Sequence, residues 1–497
     1  MNRIESFRGP SSHRPLARAE RQLLVLLSLH LCFLPWALGT MHVWSQVVSV
    51  VLALLGLACA LRPRTASNPE NDALSRLLRF PVFWIGLALL AYVAGQALNP
   101  SYRYVASAAY WWLEPSRNVS WLPTAVAAPF AQSNAWRQLM IYASAWMVSC
   151  SAWCGLSRRR SWRILLTVLM ANAVALSGAL LVQRASGEGR LPLFLADFSD
   201  RADLTASFVY HNHAGAYLGL LTFAAVALAT YGYDQGIKTQ KKSTPTSVIA
   251  LLALLIAAAV LFTLSRGASL TLVAMLGVFG VWAYLRRRFR PVAVGTDGRV
   301  TLVLTALFVL FLVYVGRSVD FSSVFTRFDA LVRERTKEQS VSSRLEARAA
   351  AGALLKDHGL RGVGAGGFRY LFPAYVSKYP DIYEGGRYFW EHAHDDWLEI
   401  PIELGVAGDL IVLSIGALAL GFLIRRRNLW HAWPVPMAFG CVGTLIHAWG
   451  DFPFQCPAIL ITWCLLATFV VRYIAVESAR SARRAEPAPD GAPGAAA

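Results

Sequence analysis

The chain has 497 residues, 56% of them hydrophobic and only 15% charged, with a mean hydropathy of +0.44. That composition is too apolar for a soluble protein, and apolar runs of spanning length recur along the chain. A net charge of +18 raises nucleic acid as a partner, an idea that the placement of the charges removes.

The apolar runs predict an all-α polytopic membrane protein with about twelve spans, at 23–40, 43–61, 80–98, 138–156, 162–182, 214–231, 248–264, 268–285, 300–316, 397–424, 432–449 and 458–475. Each approaches the ~20 residues that cross ~30 Å of hydrocarbon, the shorter ones needing thinning or re-entry. Arg14, Arg18 and Arg21 precede the first run as they would a signal peptide, but with so many spans following, a retained anchor is the better reading. Basic clusters then recur at alternate loops: the N-terminus, Arg62/Arg64/Arg76/Arg79, Arg158–Arg160, Lys238/Lys241/Lys242, Arg286–Arg288 with Arg290, Arg425–Arg427 and the C-terminal arginines. The positive-inside rule places these loops and both termini in the cytoplasm. The outer loops are close to neutral in sum, so the positive excess sets topology and is no evidence for nucleic acid. The cysteines lie in or beside apolar segments and offer no disulfide framework; Cys150 and Cys154 read as core packing. Boundaries follow: an N-terminal segment 1–22, a membrane domain 23–316, an outer loop domain 317–396, a second membrane domain 397–475, and an Ala/Pro-rich cytoplasmic tail 476–497 expected to be disordered.

The unusual polar residues gather on the outer loops. Glu391, His392, His394, Asp395, Asp396, Glu399 and Glu403 crowd the mouth of the tenth span. Ionisable groups at a membrane boundary are costly to desolvate. In a helix starting near Asp395, Glu399 and Glu403 share its face and look into protein or a wet cleft. Polar residues also cluster where helices simply leave the bilayer, so the cluster alone does not prove a site.

In the preceding loop, Ser343-Arg344-Leu345-Glu346 fits a capping box opening a helix that stops at Gly359. Leu345, Ala349, Leu354 and Leu355 would face the membrane domain. Arg344 and Arg348, one turn apart, suit phosphate recognition or form a solvated basic face. Gly362-Val363-Gly364-Ala365-Gly366-Gly367 is a literal GxGxxG. It follows a helix, with no βαβ unit around it, so it reads as a turn or a close backbone approach, not a dinucleotide site. Arg266, in the short Ser265-Arg266-Gly267 turn, is a functional cation or a snorkelling anchor. His211, Asn212 and His213 open the sixth span; two histidines alone make a hydrogen-bonded pocket a better reading than zinc. His447 and Asp451 are weaker candidates of the same kind.

Together these residues resemble the bacterial O-antigen ligase and O-antigen polymerase superfamily of membrane glycosyltransferases. His394-Asp395, nine residues, Gly405, two residues and Gly408 follow the ligase pattern, although Asp395 departs from the more usual Asn, Ser or Gln. The Ser265-Arg266-Gly267 turn, Ser343-Arg344-Leu345, the Gly-rich turn and the Phe208–Gly215 stretch also look like the family, with His211 where an arginine is common. The resemblance covers roughly 200–460. It implies transfer of a glycan from undecaprenyl diphosphate to a hydroxyl of lipid A core, a glycan or a protein, at the periplasmic face of the inner membrane, with no cofactor or metal. It assigns His394 as base and Arg266 and Arg344 as diphosphate ligands. Asp395, Glu391 or Glu399 would orient the imidazole, with Arg348, His211, Asn212 and His213 in support. The alternative is a polytopic solute transporter or flippase, which would place ionisable groups at the bilayer midplane on repeated, broken helices.

Overall fold

The computed structural model describes residues 16–62, 72–186, 205–238, 245–289, 339–383, 389–426, 431 and 433–485. The chain opens with α1 (Arg18–Trp36), a 3-10 turn at Leu38–Thr40, α2 (Val43–Leu61), the short α3 (Ala73–Leu78) and α4 (Pro81–Leu98). Three strands follow, then α5 (Ala135–Gly155), α6 (Arg159–Ser186), α7 (His211–Lys238), α8 (Thr246–Phe262) and α9 (Arg266–Phe289). The loop domain contributes α10 (Gln339–His358) and three single-turn helices, α11 (Phe368–Leu371), α12 (Pro373–Val376) and α13 (Pro380–Tyr383). The chain returns through α14 (Asp396–Arg426), α15 (Pro434–His447), a 3-10 turn at Pro453–Gln455 and α16 (Pro457–Ala485).

This is an all-α polytopic membrane architecture. Among the described residues seven helices are long and apolar enough to cross a membrane: α2, α4, α6, α7, α9, α14 and α16. The runs at 248–264 and 432–449 form the shorter apolar helices α8 and α15, while 23–40 and 138–156 form α1 and α5. The run at 300–316 lies outside the described residues. α16 continues to Ala485, so the first part of the segment expected to be a disordered tail is helical.

Among the described residues, two large hydrophobic cores and a smaller one around Val93, Ala135 and Leu404 hold the molecule together. The membrane core joins α1, α6, α7, α15 and α16 through fully buried side chains such as Leu27, Leu31, Trp162, Leu166, Tyr217 and Phe469. The loop-domain core packs one stripe of α10 (Ala347, Ala350, Ala351, Leu354) against Phe368, Phe372 and Ile402. That stripe differs from the expected one. Leu354 is buried, but Leu345 is 60% exposed and Ala349 also faces out. The helix starts at Gln339, so Ser343 lies inside it rather than capping it. Its C-terminal stop at Gly359 is as read: the Gly359 and Gly362 N–H groups donate to Leu355 and His358 carbonyls.

Residues 99–137, the connection between the expected spans 80–98 and 138–156, carry a small sheet of order β2–β1–β3, from β1 (Pro100–Ala106), β2 (Trp111–Pro115) and β3 (Ala125–Ala127). Its inward rings bind it to the loop domain: Tyr104 stacks on Trp111, and both meet Tyr370.

The two glycine motifs meet at one point. α14 breaks at Gly405, where φ is +67°, and the break frees helical carbonyls that need other donors. The Val363 and Gly364 N–H groups donate to Ile402 and Glu403 carbonyls, the Tyr92 hydroxyl donates to Leu404, and the Gln96 amide donates to Glu403. A Cβ at Gly405 would lie 2.6 Å from the Gly362 nitrogen, and one at Gly408 would lie 2.8 Å from the Tyr92 ring. The GxGxxG turn is thus a close backbone approach that fixes the start of α14, and with it the His394 loop.

Candidate active site

Five chain segments converge at one end of the bundle: the N-termini of α7, α9 and α14, the first turns of α10, and the 450–457 loop. Phe452 is the hub. Tyr210 stacks on it at 5.2 Å, His392 stacks on it at 4.5 Å, and His213 and His394 stand perpendicular to it at 5.0 and 4.7 Å.

His394 takes a left-handed backbone, φ +52°, a strained conformation for a non-glycine residue that concentrates at functional sites. Trp390 and Tyr210 stand edge-to-face with its ring, at 5.4 and 6.4 Å. Its Nδ1 is buried with no hydrogen-bond partner and faces Asp451 Oδ1 at 4.0 Å. Burial, then the Arg344 charge, then His392 push its pKa down to about 3, so the imidazole is neutral. Burial raises the Asp451 pKa to about 6, against the pull of Arg344. Asp451 Oδ2 accepts from the Asn212 amide and lies 4.0 Å from His447 Nε2, while Oδ1 accepts from its neighbour's Phe452 N–H.

Arg344 reaches across from α10. It donates to the Gly450 carbonyl at 3.1 Å and bonds the Tyr210 hydroxyl, which also receives the Asn212 amide at 2.6 Å. Arg348 shares that face of the helix, as the spacing predicts. It is bound to Asp395 (Nε to Oδ2, 2.8 Å) and to the Trp449 carbonyl, so a paired-arginine anion fork is not what the geometry presents. Arg266 is the first residue of α9, two residues after Leu264, which takes a left-handed conformation. The adjoining Gly267 packs against the His447 ring, where an added Cβ would lie 2.9 Å from Nε2. Arg266 therefore sits at a helix N-terminus, which favours anions, one residue from the His447–Asp451 pair.

None of the three carboxylates expected to orient His394 has that geometry. Asp395 is the cap of α14, its Oδ1 accepting the Trp397 N–H at 3.1 Å, and it holds Arg348. Glu399 binds His392 Nδ1 and the Ala393 N–H, both at 2.7 Å. Glu391 is exposed and pairs with Arg369 at 3.2 Å. The carboxylate facing the ring is Asp451, from a different loop. The expected burial of the Asp395, Glu399 and Glu403 face does hold: all three are 3% exposed or less. Asn212 and His213 are buried in the same group, the latter 3.3 Å from the Phe452 carbonyl. His211 lies beside them, its ring 5.0 Å from Tyr210. Phe452 and Trp390 were not singled out by the sequence. Asp451-Phe452, in a short polar break between two apolar runs, was the available signal.

A strained, neutral histidine thus faces a carboxylate, with an arginine beside both and a helix N-terminus close by, at the end of a polytopic helical bundle. Residues 251–413 match the family model described as O-antigen ligase, a similarity over about a third of the chain that supports the O-antigen ligase/polymerase superfamily. The match spans Arg266, Arg344, Arg348 and His394, whereas Asn212, His447 and Asp451 lie outside it. No curated protein matches the chain.

Proposed function

We propose that this protein transfers a glycan from undecaprenyl diphosphate to an acceptor hydroxyl, as an O-antigen ligase or a polysaccharide polymerase, at the periplasmic face of the bacterial inner membrane. The convergence of Arg344, His394 and Asp451, with the Arg266 helix end adjoining through Gly267 and His447, carries this reading.

The acceptor oxygen attacks the anomeric carbon as the bond from that carbon to the diphosphate oxygen breaks. Charge grows on the departing diphosphate, where a preorganised guanidinium stabilises the transition state best. Arg344 and Arg266 take this role. The hydroxyl proton passes to neutral His394, and Asp451 faces the resulting imidazolium. Asp395 and Arg348 act through position: one fixes the start of α14, the other ties α10 to it. Lipid A core, a growing lipid-linked glycan and a protein hydroxyl are all acceptors compatible with this chemistry, which uses no metal. A transporter would concentrate polar groups at the midplane, whereas this cluster lies at helix ends.

The test is glycan transfer by purified protein in EDTA from a lipid-diphosphate-linked donor. Turnover that His394→Ala and Arg344→Gln each abolish in folded protein supports the reading. A donor left unconsumed, or turnover that survives both substitutions, overturns it.

A further inference from the structure

At the opposite end of the bundle α1 and α2 part around a groove of about 460 Å³. The two ends are distinguished by packing: the α1–α2 connection at Gly39 meets Phe208 and Cys456 beside the candidate active site, so Arg21 and Arg62 lie at the far end. The groove is lined by Arg21, Gln22, Val25, Leu26, Leu55 and Ala58, with Arg62 and Cys59 closing it. Both arginines are exposed, Arg21 on α1 and Arg62 at the C-terminal cap of α2, and Arg62 Nη1 donates to Gln22 Oε1 at 3.2 Å across the gap. Beneath them the walls are apolar and open, with Val25 53% and Leu55 49% exposed. From Arg62 to Leu55 the groove descends roughly 10 Å along the helix.

We infer that this groove is a binding site for one anionic phospholipid, with the phosphate between Arg21 and Arg62 and an acyl chain along Val25, Leu55 and Ala58. Guanidiniums on two separate helices can grip one phosphate from both sides. Basic pockets between membrane helices on the cytoplasmic side have this lipid-recognising chemistry, and the positive-inside rule assigns this end to that side. Topology alone needs only that arginines be present in the loops. It does not need two of them at the mouth of one apolar groove.

The site is tested on the full-length protein in detergent by native mass spectrometry with added phosphatidylglycerol, cardiolipin or phosphatidylethanolamine. The two anionic lipids are expected to stay bound and phosphatidylethanolamine to be lost. The Arg21→Gln/Arg62→Gln double variant is expected to bind the anionic lipids roughly 30-fold more weakly, at about 1 kcal/mol per arginine. Arg79→Gln/Arg160→Gln removes two exposed arginines of the same end outside the groove and is expected to leave binding unchanged. If the first variant does not fold, Ala58→Phe fills the groove with both arginines in place and should also lose the lipid. Equal retention of phosphatidylethanolamine, an equal loss in the Arg79/Arg160 variant, or full binding by Ala58→Phe would each overturn the site.

Discussion

His392 and His394 stand two residues apart on one loop and touch the same Phe452 ring, yet their surroundings differ in kind. His392 lies nearly parallel to the ring, at 22°, with its Nδ1 bonded to Glu399 at 2.7 Å. His394 stands at 85° to the ring, with its Nδ1 4.0 Å from the nearest facing carboxylate. Burial alone would lower the His392 pKa, but the Glu399 carboxylate reverses the shift and raises it. Burial and the Arg344 charge lower that of His394. A histidine already bonded to a buried carboxylate is a brace. One kept neutral beside a carboxylate it does not quite touch can accept a proton and be stabilised once it has. The two alternate along an irregular segment, so spacing within the segment could not tell them apart.

Exchanging the two roles gives the largest expected effect. His394→Gln should lower glycan transfer roughly 10²- to 10⁴-fold with an unchanged unfolding midpoint. His392→Phe keeps the stacking on Phe452 but leaves Glu399 Oε1 without its partner. It should cost about 1–3 kcal/mol of stability while the folded fraction keeps its activity. Turnover assays paired with thermal unfolding of each variant separate the outcomes, and the comparison fails if His392→Phe is the inactive, stable one.

A second break lies in the scaffold that both histidines share. Gly405→Ala forces a side chain into a left-handed backbone, at about 1–2 kcal/mol, and puts its Cβ 2.5 Å from the Arg361 carbonyl carbon. Both effects should lower stability and displace the start of α14, so activity and unfolding midpoint should fall together. An unchanged midpoint would show that the Gly362–Gly405 contact is not what fixes the loop.

Asp451 sharpens the comparison through pH. With its pKa near 6, it is ionised above that value and protonated below, whereas His394, lowered to about 3, stays neutral throughout that window. Catalytic efficiency should therefore rise as pH increases through about 6, reporting the carboxylate that faces the imidazolium rather than the histidine itself. Asp451→Asn should remove that limb and reduce kcat/KM about tenfold, less than the roughly 10²- to 10⁴-fold expected for the base itself. A limb that persists in the variant would assign it to another group.

Much of this was legible in the sequence, for physical reasons. Spanning length and alternating basic loops are local signals, and the described helices follow them closely. The burial of Asp395, Glu399 and Glu403 followed from the helical period. The sheet was missed although Tyr102, Tyr104, Trp111 and Leu113 alternate as strand residues do, because strands this short resemble ordinary loop. The α10 stripe was misread because alanines, not the larger leucines, make its contact: Ala347, Ala350 and Ala351 allow close approach where Leu345 points outward. The partner of His394 was not readable, since Asp451 reaches it only through the packing of the 450–457 loop on α7 and α14.

Glu391 bounds the smallest effect. It carries a charge three residues from His394 and belongs to the same acidic cluster, yet its side chain is 58% exposed and pairs with Arg369 at 3.2 Å. An exposed pair of this kind contributes about 0–1 kcal/mol and weakens with salt. Glu391→Gln should leave transfer within about twofold of wild type and stability within ~0.5 kcal/mol, with the acid limb near pH 6 intact. A large loss of turnover would mean that the loop closes on substrate and brings this carboxylate to the imidazole, putting Glu391 rather than Asp451 opposite His394 in the working enzyme.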